Sequence, residues 1–524
     1  MTDVAILLLV AALAFALRRA IRIPLIPLLL VAGMALRYSN LALDREVARN
    51  VLDIGLAVLV FGAGMELNPK RFGAQARLVV VVGLAQFAFI GLGGVAGARL
   101  FGLDWLPALY TGLAISTSST LIIIRLLKGR QQMFEPFGRL VTGVLLLQDL
   151  LIILLLVLLT RLPDGSAAVL GGLGGLGVLL LLSGIGLRWV MPYLVLRLKL
   201  DQDTLGLTIL TVLFVYMGLA HLLRLPIVAG AFLAGVSLSG FPVNSIARGL
   251  VGSITAFFMA IFFVVLGGLI HWPAPAEWGL VAVLTVFILA GTPLLVTAVA
   301  LRLRWTARAA IESGLLLAMT SEFSLVVALQ GLILGQIPPG VFNVVAMVTV
   351  LTMTITPLVA TDRVTWKLMR MLPGTAPRTL AETDSLRDHV VMLGYGKGSS
   401  VVLKALRKAG HHVVVVNDDP VIVKGLLAEG VRAMHGDGSD PLVLDAVHVD
   451  RASLIVCSMR RTADADKVLL KTGRGGPLLI VRVFEPAQAE RIAAGGGIPV
   501  LSSEAAADAF MKWQQHFFDP AQKG

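Results

Sequence analysis

"VTGVLLLQDLLIILLLVLLT", residues 141–160, is almost wholly aliphatic, yet Gln148 and Asp149 stand near its middle. A helical membrane span needs about 20 apolar residues, and this stretch has that length. A carboxylate at bilayer depth costs roughly 2.5 kcal/mol or more, so an acid kept there marks a functional site. The composition around it is that of a polytopic membrane protein. Of 524 residues, 57% are hydrophobic and 15% charged, with a mean hydropathy of +0.87, whereas soluble domains have roughly 45–50% apolar and about 25% charged residues. The single cysteine, Cys457, excludes an intramolecular disulfide and reads as a small buried apolar residue. The first apolar stretch, Val4 to Leu17, runs into Arg18, Arg19 and Arg22 without a small-residue cleavage site, so it reads as a retained span rather than a signal peptide.

Breaking the apolar runs at charge clusters, Pro and Gly gives thirteen expected spans, near 4–17, 22–36, 48–65, 78–98, 105–127, 140–160, 167–187, 205–223, 226–240, 251–270, 278–300, 311–335 and 339–360. Twenty Lys and Arg residues, from Arg18 to Arg370, fall in one alternate set of loops. The other set holds six, namely Arg37, Arg45, Arg49, Arg99, Arg161 and Arg224. The positive-inside rule then puts the N-terminus outside and everything after residue 360 in the cytoplasm. The net charge of +12 is explained by basic patches at the membrane surface rather than by nucleic acid.

After residue 363 the character changes. Residues 364–388, ending in the polar "GTAPRTLAETDSLRD" (374–388), read as a linker, 389–515 as a soluble α/β domain and 516–524 as a tail. Apolar strands ("HVVML", "HHVVVVNDD", "VRAMHGD", "SLIVCSM", "LLIVRVF", "IPVLSS") alternate with helical stretches, the pattern of a doubly wound, Rossmann-like parallel sheet. Between the first strand and helix lies Gly394-Tyr395-Gly396-Lys397-Gly398-Ser399, a G-x-G-x-x-S variant of the dinucleotide fingerprint. There a pyrophosphate would rest on the helix N-terminus. Asn417, Asp418 and Asp419 end the second strand, where such domains hold the ribose. The competing reading is that these glycines serve only helix–sheet packing.

Two further spans carry polar runs at depth. "GLAISTSSTLIIIRLL" (112–127) has hydroxyls from Ser116 to Thr120, and "GLLLAMTSEFSLVVA" (314–328) has Thr320, Ser321, Glu322 and Ser324. Both are places where a helix can break, because hydroxyls satisfy freed backbone groups. One lies in each half of the membrane domain, as in inverted-repeat transporters with a midplane site. Alternatively these hydroxyls only pack helices together. Thr142, two helical turns before Asp149, shares its face, or else bonds back to its own helix. Glu66, just before Asn68-Pro69, reads as interfacial and structural.

The chain resembles the cation:proton antiporter-2 superfamily, most closely its Kef-type potassium-efflux branch. The motifs are "FGAGMELNPKRF" (61–72), "STSSTLI" (116–122), "LLLQDLLIILLL" (145–156), "GAFLAG" (230–235), "FFVVLGG" (262–268) and "SEFSLVVA" (321–328). "GYGKGS" and "HGDGSD" (435–440) match the branch's nucleotide-binding regulatory domain of KTN/RCK N type and add Asp437 to the nucleotide candidates. The resemblance implies a homodimer in the cell inner membrane, with a dimerising panel and a mobile core of crossed, broken helices. It also implies that Asp149 takes K+ (or Na+) and H+ in turn, beside Gln148, Ser118, Ser119, Thr120, Glu322 and Thr142, and that the tail takes an adenine nucleotide (NAD(H), AMP or ATP). In this chain Gln148 stands where related antiporters have a first acid, and no basic residue precedes Arg302 in 286–305. One-for-one, electroneutral exchange is the expectation. A nucleotide-gated channel and a membrane-anchored dehydrogenase are the alternatives. The first lacks a T-V-G-Y-G-type filter. The second lacks a substrate domain, and His411, His412, His435 and His448 form no metal-ligand pattern.

Overall fold

Apolar runs become helices here because lipid offers backbone groups no partner, so each must be satisfied within its own segment. The structure, a computed structural model, describes residues 2–501 apart from 22, 40–43, 67–75, 131, 134–135, 195–201, 241–242, 304, 372–385, 397, 460–461 and 474. The chain divides into a helical unit made of Met1–Trp305 and Ala309–Thr365 and a second unit that runs from Trp366 and takes in Thr306–Arg308. The first contains α1 (Thr2–Ile21), α2 (Leu25–Tyr38), α3 (Arg45–Glu66), α4 (Ala76–Leu100), α5 (Trp105–Ile115), α6 (Thr120–Gly129), α7 (Pro136–Arg161) and α8 (Ser166–Ile185). It continues with α9 (Gln202–Leu222), α10 (Ile227–Ser237), α11 (Val243–Leu269), α12 (Trp278–Val286), α13 (Thr292–Arg302), α14 (Ala307–Leu317), α15 (Glu322–Ile333) and α16 (Pro339–Val359). Each of the thirteen expected spans falls on a helix or a broken helix. Among the described residues, nine helical stretches are long and apolar enough to cross a membrane, and Leu25–Tyr38, Ile227–Ser237 and Ile254–Leu269 are shorter apolar helices.

Several sequence motifs are packing devices. A β-carbon on Gly64 would lie 2.1 Å from Phe232 O, and one on Gly235 would lie 2.1 Å from Phe61 O. Helices α3 and α10 therefore touch backbone to backbone, the small-residue contact of membrane helices. Helices α2 and α11 do the same through Gly33 and Gly267. The first stretch of the expected linker is helical, as α17 (Asp362–Met371). Most of the remaining linker and the 516–524 tail lie outside the described residues.

The second unit alternates β1 (Val390–Leu393), α18 (Ser399–Lys408), β2 (Val413–Asn417), α19 (Pro420–Ala428), β3 (Arg432–His435) and α20 (Pro441–Ala446). Then come β4 (Leu454–Cys457), α21 (Thr462–Thr472), β5 (Leu478–Val483), α22 (Pro486–Ala494) and β6 (Ile498–Leu501). All six strands expected from sequence are present. They pair in parallel in the order β3-β2-β1-β4-β5-β6, with Val390 opposite both Val413 and Leu454. That is the doubly wound topology, whose order reverses beside β1, and ligands bind at the strand carboxyl ends there. Val391, Leu393, Val414 and Val416 face one core and Val390, Met392, Val413 and Val415 the other, which is why these strands read as continuous apolar runs.

Candidate functional site

Both polar runs interrupt helices. Helix α5 stops at Ile115 and α6 starts at Thr120, while α14 stops at Leu317 and α15 starts at Glu322. A break inside a membrane domain frees N–H and C=O groups that need partners, and each run supplies them to the other. Ser118 Oγ donates to Leu317 O (2.8 Å), the last carbonyl of α14. Ser324 Oγ donates to Ala114 O in α5. Ser119 caps α6 by accepting from Ile122 N (3.3 Å). Ser321 caps α15 by accepting from Phe323 N (3.1 Å), and Ser324 Oγ accepts from Ser321 N (3.2 Å), a reciprocal cap. Threonines of α16 complete the second break: Thr352 Oγ1 accepts from Thr320 N (3.2 Å), and Thr356 Oγ1 donates to Ala318 O (2.5 Å).

Helix α7 runs beside this crossing with Gln148 and Asp149 fully buried. Gln148 Oε1 accepts from the freed Ser118 N (3.0 Å), and its amide donates to Gln86 Oε1 of α4. Both ends of Gln148 therefore hold structure in place. Thr120 Oγ1 donates to Asp149 Oδ2 (2.8 Å), and Ser119 Oγ donates to Glu322 Oε2 (2.8 Å). Glu322 opens α15, where a helix N-terminus favours a carboxylate. Two buried oxygens in this region, Asp149 Oδ1 and Thr117 Oγ1, have no hydrogen-bond partner. Thr142 stays apart, its hydroxyl donating to Gly138 O (2.7 Å) on its own helix. Glu66 is half-buried at the end of α3. A buried carboxylate with one oxygen unengaged can take a proton or a monovalent cation at that oxygen, and the two then exclude each other.

In the second unit, the turn after β1 has the expected form. Gly394 has φ +83°, and a β-carbon there would lie 3.2 Å from Met459 N. Beyond its chain neighbours, Gly396 has no heavy atom within 4 Å of the position its β-carbon would take, which leaves the room a phosphate needs. Ser399 starts α18, and its Oγ donates to Ser458 Oγ (2.9 Å). Asn417 is buried and donates to Tyr395 O (3.2 Å), so its amide braces the glycine turn. Asp418 is exposed at the end of β2. Asp437 Oδ1 accepts from both Ser439 N and Ser439 Oγ (2.9 Å each). Lys397 lies outside the described residues. Burial pushes the Cys457 thiol up to about 12, so it is an inert core residue, as read from the sequence.

Residues 5–361 match the transmembrane sodium/hydrogen exchanger family, and residues 390–501 match the TrkA-N domain. The chain belongs to the sodium/hydrogen exchanger family. It is a cation:proton antiporter with a C-terminal TrkA-N domain, a transporter rather than an enzyme, and neither the channel nor the dehydrogenase reading is favoured. YbaL of Escherichia coli K12, provisionally named a cation/proton antiporter, is 23% identical over 479 residues, 87% of this chain and 85% of YbaL. The glutathione-regulated potassium-efflux system protein KefC of the same strain is 25% identical over 441 residues, 82% of this chain and 70% of KefC. The sodium proton antiporter MjNhaP1 of Methanocaldococcus jannaschii has a similar fold, with a TM-score of 0.53 at 15% identity over 70% of this chain and 97% of MjNhaP1.

Within this exchanger, four side chains at the two sites gave no sequence signal. Gln86 sits in an ordinary apolar helix, and only its contact with Gln148 gives it a place. Thr352 and Thr356 lie 32 and 38 residues from their partners. Arg482 of β5 brings its guanidinium to the glycine turn, with Nη1 3.5 Å from where a β-carbon on Gly398 would stand. It also stacks on Phe484, 5.0 Å from the ring centroid.

Proposed function

We propose that this antiporter exchanges potassium for protons, one for one, by alternating access at Asp149, and that a nucleotide on the TrkA-N domain sets its rate. The observation that carries the reading is the buried Asp149 carboxylate with Oδ2 bonded to Thr120 and Oδ1 unengaged, beside the unengaged Thr117 hydroxyl. Proton and cation compete for that oxygen. Ser118 and Ser119 shape the crossing, Gln148 fixes its backbone, and Glu322 steadies α15. Half-helix C-termini with their partial negative charge favour a cation at the crossing. The Gln148-Asp149 pair and the likeness to KefC favour potassium over sodium. Thirteen crossings, an outside N-terminus and a cytoplasmic C-terminal domain follow from the loop charges. Domain limits at 363 and 388 follow from the change in composition after the last apolar run, and a homodimer in the cell inner membrane accords with the family resemblance. In the tail, the open face of Gly396, the Arg482 guanidinium and Asp418 suit the phosphate and ribose of an adenine nucleotide, with Asn417 bracing the turn.

The test is purified protein in liposomes with a pH dye inside, challenged from outside with potassium, sodium or lithium. Potassium entering against protons leaving should alkalinise the lumen, and sodium and lithium should do so less. A lumen response to sodium with none to potassium would overturn the choice of ion but not the exchange.

A further inference from the structure

The helical unit holds a cavity of about 570 Å³ between the C-terminal end of α1, the start of α2 and helix α6. Small-molecule clefts run to roughly 300–1,000 Å³. Three arginines line it, Arg18 and Arg19 from α1 and Arg125 from α6. None of them forms an ion pair with a carboxylate among the described residues. The nearby carboxylate of Glu322 accepts at Oε2 from the Ser119 hydroxyl (2.8 Å) instead. Three guanidinium groups around one cavity repel one another unless an anion lies between them. The remaining wall is apolar and includes Phe15, Leu121 and Leu126. Next to it on α1, Leu13, Phe15 and Leu17 are 61%, 43% and 47% exposed, and they continue the apolar wall outward along the helix.

We propose that this cavity binds the phosphate headgroup of an anionic membrane phospholipid, with the acyl chains leaving along the exposed face of α1. Guanidinium groups match phosphate oxygens in a bidentate manner, and basic pockets between membrane helices at the cytoplasmic level suit anionic headgroups. A soluble anion would use the arginines but not the apolar wall and its exposed continuation, which is why a lipid is the assigned occupant. The site rests on the orientation proposed above for its cytoplasmic placement. Its test is a binding measurement that does not depend on transport. The headgroup would touch α6, the half-helix that Ser119 caps and Thr120 opens, so its occupancy would bear on the crossing.

Native mass spectrometry of the full chain in a non-ionic detergent would count bound phosphatidylglycerol, with phosphatidylcholine and millimolar inorganic phosphate as the other arms. Wild type should retain phosphatidylglycerol and not phosphatidylcholine, and phosphate should not displace it. Arg125→Gln, and Arg18→Gln with Arg19→Gln, should weaken retention at least tenfold. Arg125→Lys should keep part of it, which separates lost charge from lost folding. Arg77→Gln, an exposed arginine that does not line the cavity, should bind as wild type does. Equal loss in Arg77→Gln, unchanged binding in the cavity variants, or displacement of the lipid by inorganic phosphate would each overturn the proposal.

Discussion

Asp149 is placed so that its neighbours settle one oxygen and leave the other free. Gln148, next to it, does the opposite, with both amide ends engaged. The two residues should therefore fail differently. Gln148→Ala leaves the buried Ser118 N–H without its acceptor, a loss of about 1–3 kcal/mol, so thermal stability should fall along with transport. Glu322→Gln keeps a group able to accept from Ser119, and exchange should persist with an altered apparent cation affinity in the liposome assay. Loss of all exchange there with the fold intact would make Glu322 a second exchanging acid and end the one-for-one reading. In the tail, His389 is buried with Nε2 2.8 Å from Val447 O and Nδ1 unpartnered. Burial holds its imidazole below the ordinary value of 6.5. The unfolded domain then binds the proton first, so the stability from His389 is fully present above 6.5 and is lost as pH falls from there through the depressed folded value. Melting of the tail at pH 7.5 and pH 5 should show this drop, and His389→Gln should reduce it.

At the level of elements, the two breaks depend on each other. Replacing Ser118, Ser119 and Thr120 together by leucine removes the cap of α6, a partner of Leu317 O and the donors to Glu322 and Asp149. A continuous helix becomes favourable, and transport should fall while expression stays comparable. Unchanged apparent cation affinity would mean that the run only packs. The breaks could be read from sequence because five hydroxyls in a row inside an apolar span have few other uses at depth. The sheet was legible too, since each strand is a short apolar run bounded by turn residues. The residues that hold the breaks from outside, Gln86, Thr352 and Thr356, were not legible. A lone polar residue in an apolar helix looks the same whether it satisfies its own helix, as Thr142 does, or a distant one. The role expected of Asn417 also needed coordinates, since an amide at a strand end could face a ribose or its own turn, and here it bonds to Tyr395 O.

Across the whole molecule, the proposed exchange lies in the helical unit and its proposed control in the tail. A ligand on the tail biases transport only by binding the two transport states with different affinity, and about 1–3 kcal/mol of coupling is enough to change activity. Gly396→Val adds a side chain where, beyond its chain neighbours, no heavy atom lies within 4 Å, so the domain should fold and lose its nucleotide. The ion exchanged should stay the same while the rate or pH threshold shifts. A chain ending at Leu372 should still exchange without that control. The central claim, that cation and proton take turns on Asp149, is tested most directly by Asp149→Asn in liposomes with an internal pH dye and an inward potassium gradient. The variant should fold, since a neutral amide is easier to bury than a carboxylate, and the lumen should show none of the alkalinisation that wild type gives. Alkalinisation at the wild-type rate would contradict the account.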